Sequence, residues 1–419
     1  MKKNIRTLIL TLWCLLSFST AVCAQQIEKV DTLQQNTAVD SLQISLLTCG
    51  PGEDVYELYG HTALRVKDTK NGDDLVFNYG IFDFDTPNFA WRFMLGQTDY
   101  KLGVLDYDRF IYSYGRHGRY VDEQILNLNT NEEARLWQAL QDNWSDRYWT
   151  YRYNFLYDNC TTRAVAQVAA CVEGTIEWPA SDDGKRSFRQ MLHEFTDEAS
   201  PWNSFGQDLL LGAEVDRPIY VEQQLFSPLY AEHFFDVASV KASDGSLRLL
   251  VGKKHRVVDV PEKPVEHFPV SPMMAALLLL AVVGLLSIVE LVRKRMIFVT
   301  DYVLMLLQGT AGCIIAFLFF FSEHPAVNSN WLILLLNPLP LVYLPFKIWR
   351  DHKRKKDYYY PVMSVVLLVF LGTAVFEMQN YPLPFFILAL ILLLRTVVSL
   401  TVYSEMRRKH HHHHHHHHH

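Results

Sequence analysis

The sequence predicts an α+β exported domain followed by an all-α membrane domain of five helices. The chain divides by charge: residues 25–269 hold 23 basic and 38 acidic side chains, net −15, whereas 270–409 hold 13 basic and 7 acidic, net +6. Five apolar stretches, near 270–292, 296–321, 327–349, 360–379 and 382–403, are each long enough to cross a ~30 Å hydrocarbon core as a helix. Before them, short alternating runs mix with helical periodicity in a segment large enough to bury one core. The mean hydropathy of +0.01 and the net charge of −6 are therefore averages of two unlike halves. Such a division argues against a cytosolic enzyme and against a nucleic-acid partner.

The elements follow in order. Lys2, Lys3 and Arg6, an apolar run from Leu8 to Phe18 and Val22-Cys23-Ala24 read as a secretory signal over 1–24, with Gln25 as the mature start. Residues 25–42 are a polar lead-in, and 43–260 form the exported domain. Residues 43–48 read as a strand, stopped by Cys49-Gly50-Pro51-Gly52. Residues 61–67 and 75–82 read as a hairpin around Asn71-Gly72. Helices are expected at 87–95, 106–114, 132–143, 185–196 and 222–238, a strand at 119–128, and a last strand or hairpin at 246–260. An aromatic run from Tyr148 to Tyr157 precedes a helix over 161–172, with Asn159 as its cap and Gly174 as its stop. Pro261, Pro264, Pro269 and Pro272 stiffen the 261–269 linker. Residues 410–419 are a histidine tag, which leaves eight native histidines of 18.

Orientation follows from Lys and Arg. Arg293, Lys294 and Arg295 follow the first span, six basic residues from Lys347 to Lys356 follow the third, and Arg407, Arg408 and Lys409 follow the fifth. The loops at 322–330 and 377–382 have none. Twelve of the 13 basic residues thus lie on one side, the cytoplasmic one, with residues 25–269 outside. Arg395 and Asp301 fall inside spans, where charge is a functional hint. Both lie toward the cytoplasmic end, so snorkelling is the plainer expectation. Asn337-Pro338-Leu339-Pro340 should break the third span.

Three cysteines belong to the exported domain: Cys49, Cys160 and Cys171. An odd count in an oxidising compartment leaves a thiol over. Cys171 lies eleven positions beyond Cys160 on one predicted helix, ~16 Å away and outside disulfide reach; a Cys49–Cys160 bond stays open, and otherwise Cys49 and Cys171 pair together or stay as buried thiols. Cys160 at a helix N-terminus suits a reactive thiol. Its base is His61, preceded by Gly60 at a strand start, with His117 in Gly-Arg-His-Gly-Arg as the alternative. His193, His233, His255 and His267 read as surface or linker residues. No paired metal-ligand spacing occurs, and no cofactor is implied.

His61 precedes Cys160 by 99 residues, the reverse of the usual papain-like order. An Asn-Cys pair opening a helix in that order resembles the permuted branch of the NlpC/P60 superfamily, which includes the lecithin:retinol acyltransferase group. Glu57-Leu-Tyr-Gly-His61-Thr-Ala-Leu-Arg65-Val, Phe77-Asn-Tyr-Gly-Ile-Phe-Asp-Phe84 and Tyr153-Asn-Phe-Leu-Tyr-Asp-Asn-Cys160-Thr-Thr-Arg163, with the five-span tail, resemble the Lnb-type lipoprotein N-acyltransferases of Gram-negative envelopes.

This resemblance implies an enzyme of the inner membrane with a periplasmic catalytic domain and a cytoplasmic C-terminus. Cys160 would take an acyl chain from a phospholipid as a thioester and pass it to the α-amine of a diacylated lipoprotein. His61 would be the base, oriented by Asn78 with Asp83 as the alternative, and the Cys160 N–H with Asn159 would face the oxyanion. Arg65 and Arg163 would meet the lipid phosphate, Glu57 the acceptor ammonium and Tyr153 the substrate; the plainer reading of the three charges is structural ion pairing. The chain must cross from bilayer to thiol at about 0.8 kcal/mol per exposed CH₂, which a short Pro-rich tether and an aromatic run would ease. Two other readings compete: a cell-wall peptidase or amidase of the same superfamily, which gives no reason for five spans, and a non-enzymatic envelope receptor with a structural Cys160.

Overall fold

The computed structural model describes residues 42–82, 87, 88, 91, 92, 95–180, 184–355 and 357–415. The signal, most of the lead-in, Asp83 and part of the expected 87–95 helix lie outside them. The described residues fall into two compact units, one running to Ala199 and resuming over Arg217–Glu266, the other made of Ser200–Asp216 and the chain from His267.

The first unit is α+β. Strands β1 (Leu42–Cys49), β2 (His61–Asp68), β3 (Asp74–Phe82), β4 (Asp99–Asp106), β5 (Val121–Leu126) and β6 (Tyr151–Arg152) join a late strand, β12 (Val251–Val258), in one antiparallel sheet ordered β12-β5-β1-β2-β3-β4-β6. Between these lie the short strands β7 (Thr175–Glu177), β8 (Arg186–Ser187), β9 (Pro218–Ile219), β10 (Ser239–Lys241) and β11 (Leu247–Leu249), which form two small sheets. The helices are α1 (Tyr107–Arg116), α2 (Thr130–Ser145), α3 (Cys160–Cys171), α4 (Phe188–Thr196), a four-residue turn α6 (Val221–Gln224) and α7 (Pro228–Val237).

Strand alternation divides the sheet into two packed faces. Ile44, Leu46, Leu64, Val66, Leu75 and Phe77 share a core with Leu136 of α2, Val168 of α3 and Phe235 of α7. Leu47, Cys49, Ala63 and Val76 point the other way, onto Phe110 and Tyr114 of α1. Gly72 turns the β2–β3 hairpin at φ +77°, with nothing within 4 Å of where its Cβ would be. β4 has no counterpart among the expected elements, and the expected 222–238 helix divides into α6 and α7.

The second unit is helical. α5 (Pro201–Leu210) packs with α8 (Pro272–Arg293), α9 (Phe298–Phe321), α10 (Leu339–His352), α11 (Tyr359–Val375) and α12 (Leu383–His415, whose last residues are tag histidines). Four segments are long and apolar enough to cross a membrane: Pro272–Arg293, Phe298–Phe321, Trp331–His352 and Leu383–Met406; Tyr359–Val375 is apolar but shorter. The third breaks after a 3₁₀ turn at Trp331–Leu334, where Asn337 Oδ1 accepts from Leu339 N at 3.2 Å. Gly312 of α9 lets the break approach, since a Cβ there would lie 2.1 Å from the Asn337 carbonyl carbon.

The intramembrane charges do not snorkel. Arg395 is buried and grips Asp301 through Nε and Nη2 (2.8 and 2.9 Å), Ser287 at 3.0 Å, and Glu290. Snorkelling fails because α8 and α9 each bring a carboxylate to the guanidinium, so it has no need of water. Lys347, expected in a cytoplasmic loop, is likewise buried against Asp351 (2.9 Å) and Asp357 (3.1 Å). Ser200–Asp216 is held by backbone bonds Gly212 N to Ala326 O (2.7 Å) and Ala213 N to Ser329 O (3.0 Å). Asn330 Nδ2 adds a bond to Leu209 O at 2.9 Å, and Asn380 N one to Asp216 Oδ2 at 3.0 Å.

Candidate active site

Gly60 enters β2 at φ +82°, and a Cβ there would sit 2.6 Å from Cys49 O, so only glycine brings His61 this close to β1. His61 stands opposite Cys49 in the β1–β2 ladder and is fully buried. Its Nε2 lies 2.9 Å from Asn78 Oδ1. Because that oxygen only accepts, Nε2 carries the proton and Nδ1 keeps its lone pair. Nδ1 is buried and meets no hydrogen-bond partner among the described residues. Burial lowers the imidazole to about 4, opposed by the Asn78 bond and aided by the nearby Arg119 cation. The ring is thus neutral near pH 7, with an open acceptor.

Asn159 caps α3: its Oδ1 accepts from Thr161 N and Thr162 N, both at 2.9 Å, and Thr162 Oγ1 accepts from Asn159 N at 2.7 Å. Its amide donates to Phe155 O (2.7 Å) and Phe226 O (3.0 Å). Asn159 is therefore spent on holding the helix start. Cys160 is the first helical residue, and the helix itself offers its N–H no acceptor. Thr161 Oγ1 and Thr62 Oγ1 are 3.0 Å apart, which ties the residue after Cys160 to the residue after His61. Cys160 also lies near enough to Cys49 and Tyr114 for its charge to act on both, so the first turn of α3 reaches the sheet end where His61 begins.

Among the described residues no disulfide forms. The open Cys49–Cys160 bond is thus absent, and both are thiols. Burial pushes Cys49 and Cys171 up to about 12, which makes them poor nucleophiles. A small pocket beside Cys160 is walled by Tyr59, Tyr153, Phe155 and Phe226.

Family models match most of this architecture. That of the Lnb N-terminal periplasmic domain covers residues 29–187, and that of the Lnb transmembrane domain covers 263–406. The chain belongs to the Lnb family. No curated protein and no solved structure gave a significant match. Lnb membership supports a lipoprotein N-acyltransferase set in a membrane, with an exported N-terminal domain and a lipoprotein as substrate.

The remaining residues singled out in this Lnb chain are placed as follows. Tyr153 is buried, stacks on Tyr100 at 4.1 Å and lines the Cys160 pocket. Arg65 sits four residues along β2 from His61, ~13 Å away. It is clamped by Asp74 (2.6 and 2.8 Å) and Glu123 (2.8 Å), over the Tyr107 ring. Arg163 makes a two-point pair with Asp158 (2.6 and 2.7 Å) over the Tyr151 ring. Both have the ion-paired arrangement. Glu57 lies 3.6 Å from Arg119 Nη1. His117 is exposed at the end of α1, its Nδ1 2.6 Å from Ser113 O. Among the described residues no cluster of His, Cys, Asp or Glu is placed to hold a metal ion.

Arg119 and Ser227 were not anticipated. Arg119 shares the Gly-Arg-His-Gly-Arg loop with His117, but it is the arginine that turns inward, donating from Nε to Gly50 O at 2.9 Å. Ser227-Pro228 reads only as a helix start.

Proposed function

We propose that this Lnb protein transfers an acyl chain from a phospholipid to the α-amine of a diacylglyceryl-cysteine lipoprotein through a Cys160 thioester. The observation that carries the reading is the buried His61–Asn78 pair, with Nδ1 open, at the sheet end where Cys160 opens its helix. Cys160 Sγ attacks the ester carbonyl carbon and its proton passes to His61 Nδ1. The ester C–O bond breaks, the lysophospholipid alcohol leaves with that proton, and the acyl group remains on sulfur. The lipoprotein amine then attacks the thioester; His61 takes the amine proton and returns it to the departing thiolate. Asn78 holds the Nε2 tautomer throughout, in a papain-like arrangement.

Tyr153 and its aromatic neighbours would receive the first methylenes of the chain. Arg65 and Arg163 serve as structural ion pairs in this reading, and Glu57 acts with Arg119. Arg119, a fixed cation, disfavours protonated His61 and so preserves the base.

We place the protein in the inner membrane with five crossings, α11 being the short one, and a cytoplasmic C-terminus. Setting aside buried Arg395 and Lys347, eleven basic residues still flank the helices on one side. The basic-free loops around 322–330 and 380 hold Ser200–Asp216, which the exported domain flanks on both sides in sequence.

The test is expression in cells lacking their own N-acyltransferase, with mass spectra of lipoprotein N-termini. Wild type should add one acyl chain; Cys160→Ser and His61→Ala should add none while still being exported. No added chain in wild type, or a chain that persists in Cys160→Ser, refutes the proposal.

A further inference from the structure

We propose that the Ser227 hydroxyl donates a hydrogen bond, beside that of the Cys160 backbone N–H, to the carbonyl oxygen under attack. This rests on the acyl-transfer reading above. Acyl transfer passes twice through a tetrahedral oxyanion, and thiol enzymes gain most where donors are fixed at that oxygen before it becomes charged. The Asn159 amide cannot serve, since it is held by the carbonyls of Phe155 and Phe226. A second donor must come from another wall of the pocket.

Ser227 lines the pocket that holds Cys160. It is 1% exposed, and its Oγ meets no hydrogen-bond partner among the described residues. A buried hydroxyl without a partner costs free energy, so its retention calls for a reason. The obvious structural use is absent: Ser227 is the N-cap of α7, yet its side chain makes no capping bond. Pro228 follows as the first helical residue, and Ala231 N bonds to Ser227 O at 2.9 Å, so the backbone of the cap is in place without the hydroxyl.

The loop is also fixed to the nucleophile. Phe226 O accepts from Asn159 Nδ2 at 3.0 Å, and Asn159 caps the helix that Cys160 opens. One side chain therefore sets the distance between the Cys160 end of α3 and the Ser227 end of α7.

The electron balance is that of ordinary acyl transfer. As sulfur bonds to the carbonyl carbon, the C=O π pair moves to oxygen. Ser227 and the Cys160 N–H hold that charge as donors without giving up their protons. The pair returns when the glycerol oxygen leaves, and the cycle repeats when the amine attacks the thioester and sulfur leaves.

The experiment uses the purified full-length chain, phosphatidylethanolamine vesicles and a synthetic S-diacylglyceryl-cysteine peptide. Wild type and Cys160→Ala are assayed first; if wild type transfers nothing or Cys160→Ala still transfers, the acyl-transfer reading falls, whatever Ser227 does. Given transfer, Ser227→Ala should lower kcat by about a hundredfold with KM little changed. The rate of Cys160 alkylation by iodoacetamide, which has no oxyanion, should stay at the wild-type value. Ser227→Thr, which restores a hydroxyl, should recover part of the loss. Wild-type kcat in Ser227→Ala overturns the proposal. A fall in kcat matched by an equal fall in alkylation also overturns it, because Ser227 then acts on the thiol or the fold.

Discussion

Asn78→Ala should disable the base while leaving the fold. The substitution removes the acceptor 2.9 Å from His61 Nε2. Both residues are at most 1% exposed, so bulk water does not reach the pair. A buried N–H without a partner costs about 1–3 kcal/mol. The ring then has no fixed tautomer, since Nδ1 is without a partner too, and the imidazolium formed on taking the thiol proton keeps its Nε2–H unpaired. A loss of about 1–3 kcal/mol there is a factor of about 5–150, and kcat should fall within that range. Asn78→Asp keeps an acceptor. A carboxylate at 2.9 Å attracts an imidazolium by about 6 kcal/mol at an effective dielectric of 20, before its own desolvation. His61 should then rise from about 4 and carry the acid limb of the pH–rate profile up with it. The assay is initial transfer from vesicle phospholipid to a diacylglyceryl-cysteine peptide across pH, with the thermal unfolding temperature as the check on folding. Wild-type kcat in Asn78→Ala refutes the orienting role, as does an Asn78→Asp variant equally slow and with an unshifted profile.

Other consequences are as direct. Without reductant at neutral pH, iodoacetamide should label Cys160 well before Cys49 and Cys171, whose thiols burial pushes up to about 12; equal labelling by peptide mass spectrometry would contradict this. His61 is neutral in the fold down to about 4 but binds a proton below about 6.5 when unfolded. Its contribution is therefore full above 6.5 and is lost as pH falls toward 4, by about 3 kcal/mol at most; amide exchange in β2 should show that slope in wild type and not in His61→Leu. Gly60→Ala should cost about 1–3 kcal/mol through its φ of +82° and the contact with Cys49 O, read as a lower unfolding temperature and slower transfer. Arg395→Met leaves Glu290 and Asp301 buried without their cation, at about 3–5 kcal/mol; a lower detergent melting point is expected, partly restored by adding Glu290→Gln and Asp301→Asn.

What the sequence disclosed was mostly local. Asn71-Gly72 announced the hairpin, and Asn159 its cap, because each is decided within four residues. Alternation gave the strands but not their register, which pointed to Asn78 with Asp83 as the alternative; the ladder pairs Leu64 with Phe77 and Arg65 with Val76 and brings Asn78 to His61, while Asp83 lies outside the described residues. β4 was missed because Gly103 interrupts a short pattern that half resembles a turn. α5 was missed because Asn203, Ser204, Gln207 and Asp208 look solvent-facing, yet all are buried. Arg395 and Asp301 are 94 residues apart, and only helix packing shows that each answers the other.

The same limit explains the form of the site. His61 opens a strand and Cys160 opens a helix, and the 98 residues between them build β3 to β6, α1 and α2. What must be kept is the phase of each element, since a slip of one residue in β2 would turn His61 to the other face. The two threonines act there. Thr62 and Thr161 are the next residues after His61 and Cys160, buried and 3.0 Å apart, so their bond couples the phase of the strand to that of the helix. Gly60 and Asn159 then fix where each element starts. One hydroxyl pair and two terminal residues thus tie the strand that His61 opens to the helix that Cys160 opens.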